Sequence, residues 1–226
     1  MKKFLNNLKT LKLENCFNPW TDISLVDDAE NGAEIRFKNL ETYLSKVTPK
    51  IICLGEACGF QGACKSGLAF TDISLRNDFE PLSWLQDGTN GKKRWNEPSA
   101  RSVWPVIGNV WENVLLWNIF PLHPHGLTAN SNRTPKKTEV QAGWEVTKEL
   151  LELYKGAIIV SIGKTSHNFL NDNNIKNSPV RHPAYGGKPE FQSGLSGILT
   201  KVFGYPVDMI TIEKKTETPA LFPELF

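Results

Sequence analysis

The chain has 226 residues, 40% of them hydrophobic, and a formal net charge of +2. This length buries one good core, and no linker-like stretch divides it, so a single domain over 1–226 is expected. The charge is too small to mark a nucleic-acid binder by itself, although a local basic patch needs no large total.

No run reaches the apolar length that spans a bilayer. Met1-Lys2-Lys3 leads into a mixed Phe-Leu-Asn-Asn segment, not the apolar stretch of a secretory signal. Cys16, Cys53, Cys58 and Cys64 form no Cys-x-x-Cys pair. Reduced thiols in a cytoplasmic protein are therefore expected.

Taken in order, Phe4, Leu5, Leu8, Leu11 and Leu13 have helical spacing, as do Ile35, Phe37, Leu40, Tyr43, Leu44 and Val47. Pro49 stops that second helix. Ile51 to Leu54 then reads as a buried strand opening into a loop that holds Gly55, Gly59, Gly62 and Gly67. Asp87 to Asn96 is a polar, basic loop, and Pro98-Ser99-Ala100 opens a helix running to about Trp111. Val114 to Trp117 is the next strand; Pro121 and Pro124 make the segment from Asn118 to His125 a shaped loop. Thr134-Pro135 predicts an N-cap and first helical position for a helix to about Tyr154. Ala157 to Ile162 is a third strand, followed by Gly163-Lys164-Thr165-Ser166 and a short helix. Pro179-Val180-Arg181 is a fourth strand, ending in His182-Pro183-Ala184-Tyr185. A helix from about Pro189 to Phe203 and an apolar run at Val207 to Ile212 precede a Pro-rich end. Strands alternating with helices predict an α/β fold, a three-layer α/β/α sandwich on a four-stranded, mostly parallel sheet.

Ligands of such sheets sit at the carboxyl ends of the strands. Gly59 to Ser66 is one residue from a phosphate-binding P-loop, but Cys64 stands where the second glycine is needed. No Gly-x-Ser-x-Gly elbow supports a hydrolase triad around His182. Metal binding by His123 and His125, with His182 as a third ligand, stays open, because the prolines around the pair leave its geometry unpredictable; the thiol spacings fit no recognised pattern.

Taken together, the strand-end loops resemble the uracil-DNA glycosylase superfamily. Gly55-Glu56-Ala57-Cys58-Gly59 resembles its first motif, in the branch reading Gly-Glu-Ala-x-Gly. Gly67-Leu68-Ala69-Phe70-Thr71 is similar to the segment whose aromatic ring stacks on the extruded base. Asn118 matches the asparagine that reads the base edge, and His182-Pro183-Ala184 resembles the second motif. Asn132-Arg133-Thr134-Pro135 resembles a loop of several branches. The resemblance covers about Lys50 to Gly187 and implies a monomeric DNA-repair glycosylase acting on uracil or another deaminated base. It implies His182, Glu56 and Asn118 as catalytic residues, with Gly55, Ala57, Gly59, Phe70 and Asn118 lining the base pocket. The same fold with weak, absent or covalent single-turnover chemistry is the alternative.

The chemistry suits these residue types. A flipped base needs an aromatic face and a polar edge, which Phe70 and Asn118 supply. A donor at O2, here His182, stabilises the leaving base. Lys65, Ser66, Lys164, Thr165 and Ser166 are candidate phosphate ligands, and Tyr185 is a candidate wedge for the gap left in the duplex. Three departures from the family pattern stand out. Ala57 lacks the polar group that orients water in some branches, Cys58 replaces a proline, and Gly59 replaces a bulky residue that bars the thymine methyl group. The Gly-Glu-Ala-x-Gly branch commonly holds an iron–sulfur cluster. Its ligands find no match here, so neither metal nor cofactor is expected.

Overall fold

A computed structural model describes residues 1–212 apart from Lys93 and Ala129; the Pro-rich end lies outside the described residues. The elements are α1 (Lys2–Thr10), β1 (Cys16–Phe17), α2 (Gly32–Lys46), β2 (Ile51–Ala57), α3 (Ala63–Ser66), α4 (Leu75–Asp78), α5 (Ala100–Ile107), β3 (Val114–Phe120), β4 (His123–Pro124), α6 (Lys137–Leu153), β5 (Ile158–Ile162), α7 (Lys164–Asp172), β6 (Ser178–Val180) and α8 (Lys188–Phe203).

The central sheet has four strands in the order β3-β2-β5-β6, and every pairing is parallel. Helices flank it, as the alternating pattern predicts, in an α/β/α arrangement. Each residue of β3 is buried, which is why this strand reads as an almost unbroken apolar run. As an edge strand, β3 would leave backbone groups unpaired. Tyr43 of α2 covers two of them: its hydroxyl donates to the Val114 carbonyl and accepts from the Leu116 amide. On β3, Trp117 stacks on Trp20 with 5.5 Å between ring centroids and donates its indole N–H to Thr147 of α6. Trp144 of α6 meets Phe169 of α7 edge to face.

Several boundaries differ from the sequence reading. The strand predicted to stop at Leu54 continues to Ala57, so Gly55 and Glu56 lie in the strand and not in the loop after it. The strand predicted to stop at Trp117 continues to Phe120. Its prolines lie beyond the last paired residue, so they do not interrupt the ladder, and Asn118 sits within the strand opposite Gly55. The helix predicted to open at Pro135 begins at Lys137, because Glu139 accepts from the Lys136 amide while pairing with Arg133. The helix from Pro98 ends at Ile107, and Trp111–Asn113 forms a separate 3-10 turn. The run from Val207 forms no regular element up to Ile212; Ile210 donates its amide to the Pro105 carbonyl beside α5.

Two predicted phosphate ligands near the first loop are internal instead. Lys65 is fully buried, with its Nζ 3.1 Å from Asp28 and 3.6 Å from Asp27. The ammonium lies 4.6 Å from the ring centroids of both Phe60 and Trp95. Arg36, also fully buried, pairs with the other oxygen of Asp28. Ser66 is buried as well, and its hydroxyl is shared among the Gly62, Leu68 and Thr71 carbonyls. Both side chains therefore brace the loop after β2 from within and face no DNA. Cutting one partner from a buried ion pair strands the other charge, which typically costs about 3–5 kcal/mol. Lys65→Ala should accordingly lower the unfolding free energy measured by urea titration by about 3–5 kcal/mol, and a change below about 1 kcal/mol would contradict the bracing role.

Candidate active site

The site begins with a missing side chain. Gly55 lies near the carboxyl end of β2, and in register beside it on β3 is Asn118. A Cβ on Gly55 would stand 2.6 Å from Asn118 Oδ1 and 2.9 Å from Phe70 Cε2. Real Cβ atoms do not approach that closely, so the glycine is what lets ring and amide converge.

Phe70 reaches this place through a left-handed backbone, φ +52°, which a bulky residue adopts only when its surroundings impose it. Trp104 of α5 donates its indole N–H to the Phe70 carbonyl at 3.0 Å and to the Thr71 hydroxyl at 3.1 Å. The Ser66 hydroxyl holds the Thr71 carbonyl, and the Trp20 indole holds the Gly67 carbonyl. The turn is fixed on both sides of the ring.

Cys58, which replaces the family proline, orients Asn118. Its Sγ lies 2.8 Å from the Pro121 carbonyl, to which the thiol donates, and accepts from Asn118 Nδ2 at 3.7 Å. Burial pushes the Cys58 thiol well above its ordinary pKa, so this donor remains protonated. With Nδ2 turned to sulfur, Oδ1 faces Gly55. Asn118 thereby presents its acceptor toward Gly55 and the Phe70 ring.

On the other side of β2, Glu56 is half-buried, and Oε1 has no hydrogen-bond partner among the described residues. Burial raises its pKa, and a hydrogen bond from the Thr165 hydroxyl partly offsets the rise. Thr165 and Lys164 are exposed in the first turn of α7, whereas Ser166 is buried and donates to the Ile162 and Gly163 carbonyls. The Ser166 side chain is therefore another corrected phosphate ligand. Gly163 has φ +88°, and a Cβ there would lie 3.2 Å from His182 Cβ. His182 follows β6, and its Nδ1 accepts the Ala184 amide at 3.1 Å. That bond places the ring proton on Nε2. Desolvation lowers the His182 pKa, which favours the same neutral form. An open groove of about 990 Å³ runs from His182 between α5 and α8, past Arg101 and Lys188. Tyr185 stands 99% exposed on a left-handed turn, φ +52°.

His123 and His125 do not join a site with His182. His123 is buried with Nδ1 on the Cys58 carbonyl, and His125 Nδ1 meets the Gly126 carbonyl. Among the described residues no three His, Cys, Asp or Glu side chains converge to hold a metal, and all four thiols are free. The cysteines present therefore do not suit an iron–sulfur cluster.

One residue of this region had no distinctive signal in the sequence. Glu97 precedes the helix-opening Pro98 and enters the glycine-rich loop, where its Oε2 occupies the space a Cβ on Gly62 would take. Its Oε1 accepts from the Ser99 hydroxyl, while Oε2 is buried without a hydrogen-bond partner among the described residues. Burial and the neighbouring Asp72 carboxylate push its pKa up to about 7. Because the folded value lies above the unfolded value of about 4.5, protonation favours the fold. That stability is complete below about pH 4.5 and is lost as pH rises through about 7. Thermal unfolding should show Glu97→Gln matching the wild type at pH 4 and exceeding it at pH 8.5; parallel melting profiles at both values would contradict this linkage.

Comparison with known proteins bears on the family and the fold. The family model described as "Uracil DNA glycosylase superfamily" matches residues 42–203. No curated protein matches the sequence. Among solved structures, the chain is similar to wild-type SMUG2 of Pedobacter heparinus, with TM-score 0.63 and 15% identity, over 90% of this chain and 96% of that one. At that identity the likeness speaks for the fold.

Proposed function

This chain belongs to the uracil DNA glycosylase superfamily, and from that membership we propose that it extrudes uracil or another deaminated base from DNA and hydrolyses its N-glycosidic bond. The observation that carries this reading is the meeting of Phe70 and Asn118 over Gly55.

In this reading, an extruded pyrimidine stacks on the Phe70 ring. Its N3–H donates to Asn118 Oδ1, and O4 accepts the Nδ2 proton not directed at Cys58. Cytosine presents a lone pair at N3 and an amino group at C4, so both contacts become repulsive. A site built to form such bonds discriminates strongly, because rejection leaves its buried polar groups unpaired. His182 donates Nε2–H to O2, where negative charge gathers as the bond to the sugar breaks. A neutral donor placed before the reaction stabilises that charge without reorganising.

Ala57 has no group with which to orient water. Glu56 takes the role here: its unpaired Oε1 accepts a proton from the water, and Thr165 holds the carboxyl in position. Lys164 and Thr165, with the first-turn amides of α7, receive a DNA phosphate. Tyr185 enters the duplex from its exposed turn. The ligand is DNA carrying a deaminated base, and the chain acts as a monomer without a cofactor.

The test is an oligonucleotide panel containing uracil, hypoxanthine or xanthine in single and double strands, read by cleavage at abasic sites. Asn118→Ala and His182→Ala should each lower the single-turnover rate by about 100-fold or more. Gly55→Ala should abolish excision by driving the ring and the amide apart. Binding without cleavage across the panel would favour the non-hydrolytic alternative, and wild-type rates in the Asn118 and His182 variants would remove the site assignment.

A further inference from the structure

Two loops outside the base pocket form one surface at the same end of the sheet. Helix α2 returns the chain to the start of β2, so the residues before it, Ile23 to Asn31, lie at the carboxyl end of the strands. There they meet the polar, basic loop that precedes α5. The Ala29 amide donates to the Gly88 carbonyl, the Asn90 amide donates to the Asp27 carbonyl, and Asp28 bridges Thr89. Asp28 is itself anchored by Arg36 and Lys65. The two loops are therefore fixed relative to each other.

The first loop displays an apolar knuckle. Leu25 is 96% exposed and Val26 77%, and Ile23 is exposed close by in the chain. Single apolar residues on a surface need no explanation, but three within four positions form a patch. The turn that carries them is closed by its own bonds. The Ser24 amide donates to the Asp28 carboxylate, and the Ser24 carbonyl accepts from the Asp27 and Asp28 amides. The Asn90 side chain donates to the Val26 carbonyl.

The second loop adds charge. With α4 it encloses a cleft of about 280 Å³ lined by Arg76, Lys92 and Arg94 against one carboxylate, Asp87. Arg94 pairs with Asp78, whereas Arg76 and Lys92 make no ion pair among the described residues. The Lys92 amide donates to the Asn90 side chain, which ties the cleft to the knuckle. Asn96, which rims the groove at His182, follows four positions after Lys92. Four extended residues span at most about 14 Å, the rise of about four base-pair steps.

We infer that this surface is a second contact for duplex DNA, beyond the base site. Arg76 and Lys92 receive backbone phosphates on one side of the lesion, while Leu25 and Val26 pack on the sugars of the minor groove. Unpaired cations within a few base-pair steps of the His182 groove favour DNA over an acidic protein as the occupant. The inference rests on the DNA-binding part of the glycosylase reading and not on bond cleavage.

The experiment measures binding of the full chain by fluorescence anisotropy. The probes carry 2′-fluoro-2′-deoxyuridine, which resists excision, with duplex on both sides of the lesion, on its 5′ side only or on its 3′ side only. The double variant Arg76→Ala/Lys92→Ala should weaken binding to the two-sided duplex about tenfold at about 100 mM salt. It should also flatten the slope of log Kd against log salt by about one to two. Leu25→Ser/Val26→Ser should weaken binding at least about threefold with the slope unchanged. Both losses should persist with one flank and vanish with the other, and the rate of uracil excision at saturating protein should stay within about twofold.

Unchanged affinity and slope in both variants would overturn the proposal and leave the surface to a protein partner. Equal losses on the two one-sided duplexes would overturn it as well, since a general effect on the fold ignores the flank. Should one variant fail to fold, the other decides. A wild type without salt-dependent duplex binding would sink the proposal together with the DNA reading. Binding that behaves as expected without excision of any base would count against the glycosylase chemistry alone.

Discussion

The site depends on one close approach, in which an aromatic ring and a carboxamide share the space beside a residue with no side chain. Parallel pairing places Asn118 directly beside Gly55. The Phe70 ring arrives from a turn whose backbone conformation is unfavourable for phenylalanine. Such a conformation persists only when neighbouring groups over-determine it. The indoles of Trp104 and Trp20, with the Ser66 hydroxyl, do so from three directions. The aromatic load of the sequence is thus spent partly on holding one ring still.

Buried charge around the site falls into two kinds. Lys65, Arg36 and Asp28 satisfy one another and brace the loop from behind. Glu56 and Glu97 each keep a carboxyl oxygen unpaired. Unpaired buried oxygens cost stability.

Much of this was legible in the sequence, for particular reasons. The strands could be read because they are buried on both faces and so run apolar; their glycine-rich or polar endings marked the site loops. Gly55, Phe70, Asn118 and His182 were visible as ordered motifs. Lys65, Ser66 and Ser166 were misread as phosphate ligands because polar residues beside glycines look alike whether they face solvent or carbonyls. Their partners, Asp28 and the Thr71 and Ile162 carbonyls, approach only after folding. The end of β3 was misplaced because Pro121 was weighed above the pairing of Asn118. Glu97 was missed for a related reason: its significance lies in Gly62, 35 positions earlier by residue number, and no local pattern connects them.

The order of the strands has a further consequence for the nucleic acid. In the proposed pose, Phe70, Asn118 and His182 define a face, an edge and an end of the base, and three such points fix its handedness. The ring nitrogen bearing the sugar adjoins O2, so the deoxyribose is set on the β6 side, above the first turn of α7. With the sugar so placed, its 3′ and 5′ phosphates leave in different directions and meet different surfaces. That pose would impose a direction of travel on the strand before any phosphate is contacted, so that a duplex is engaged with the damaged strand running in one polarity.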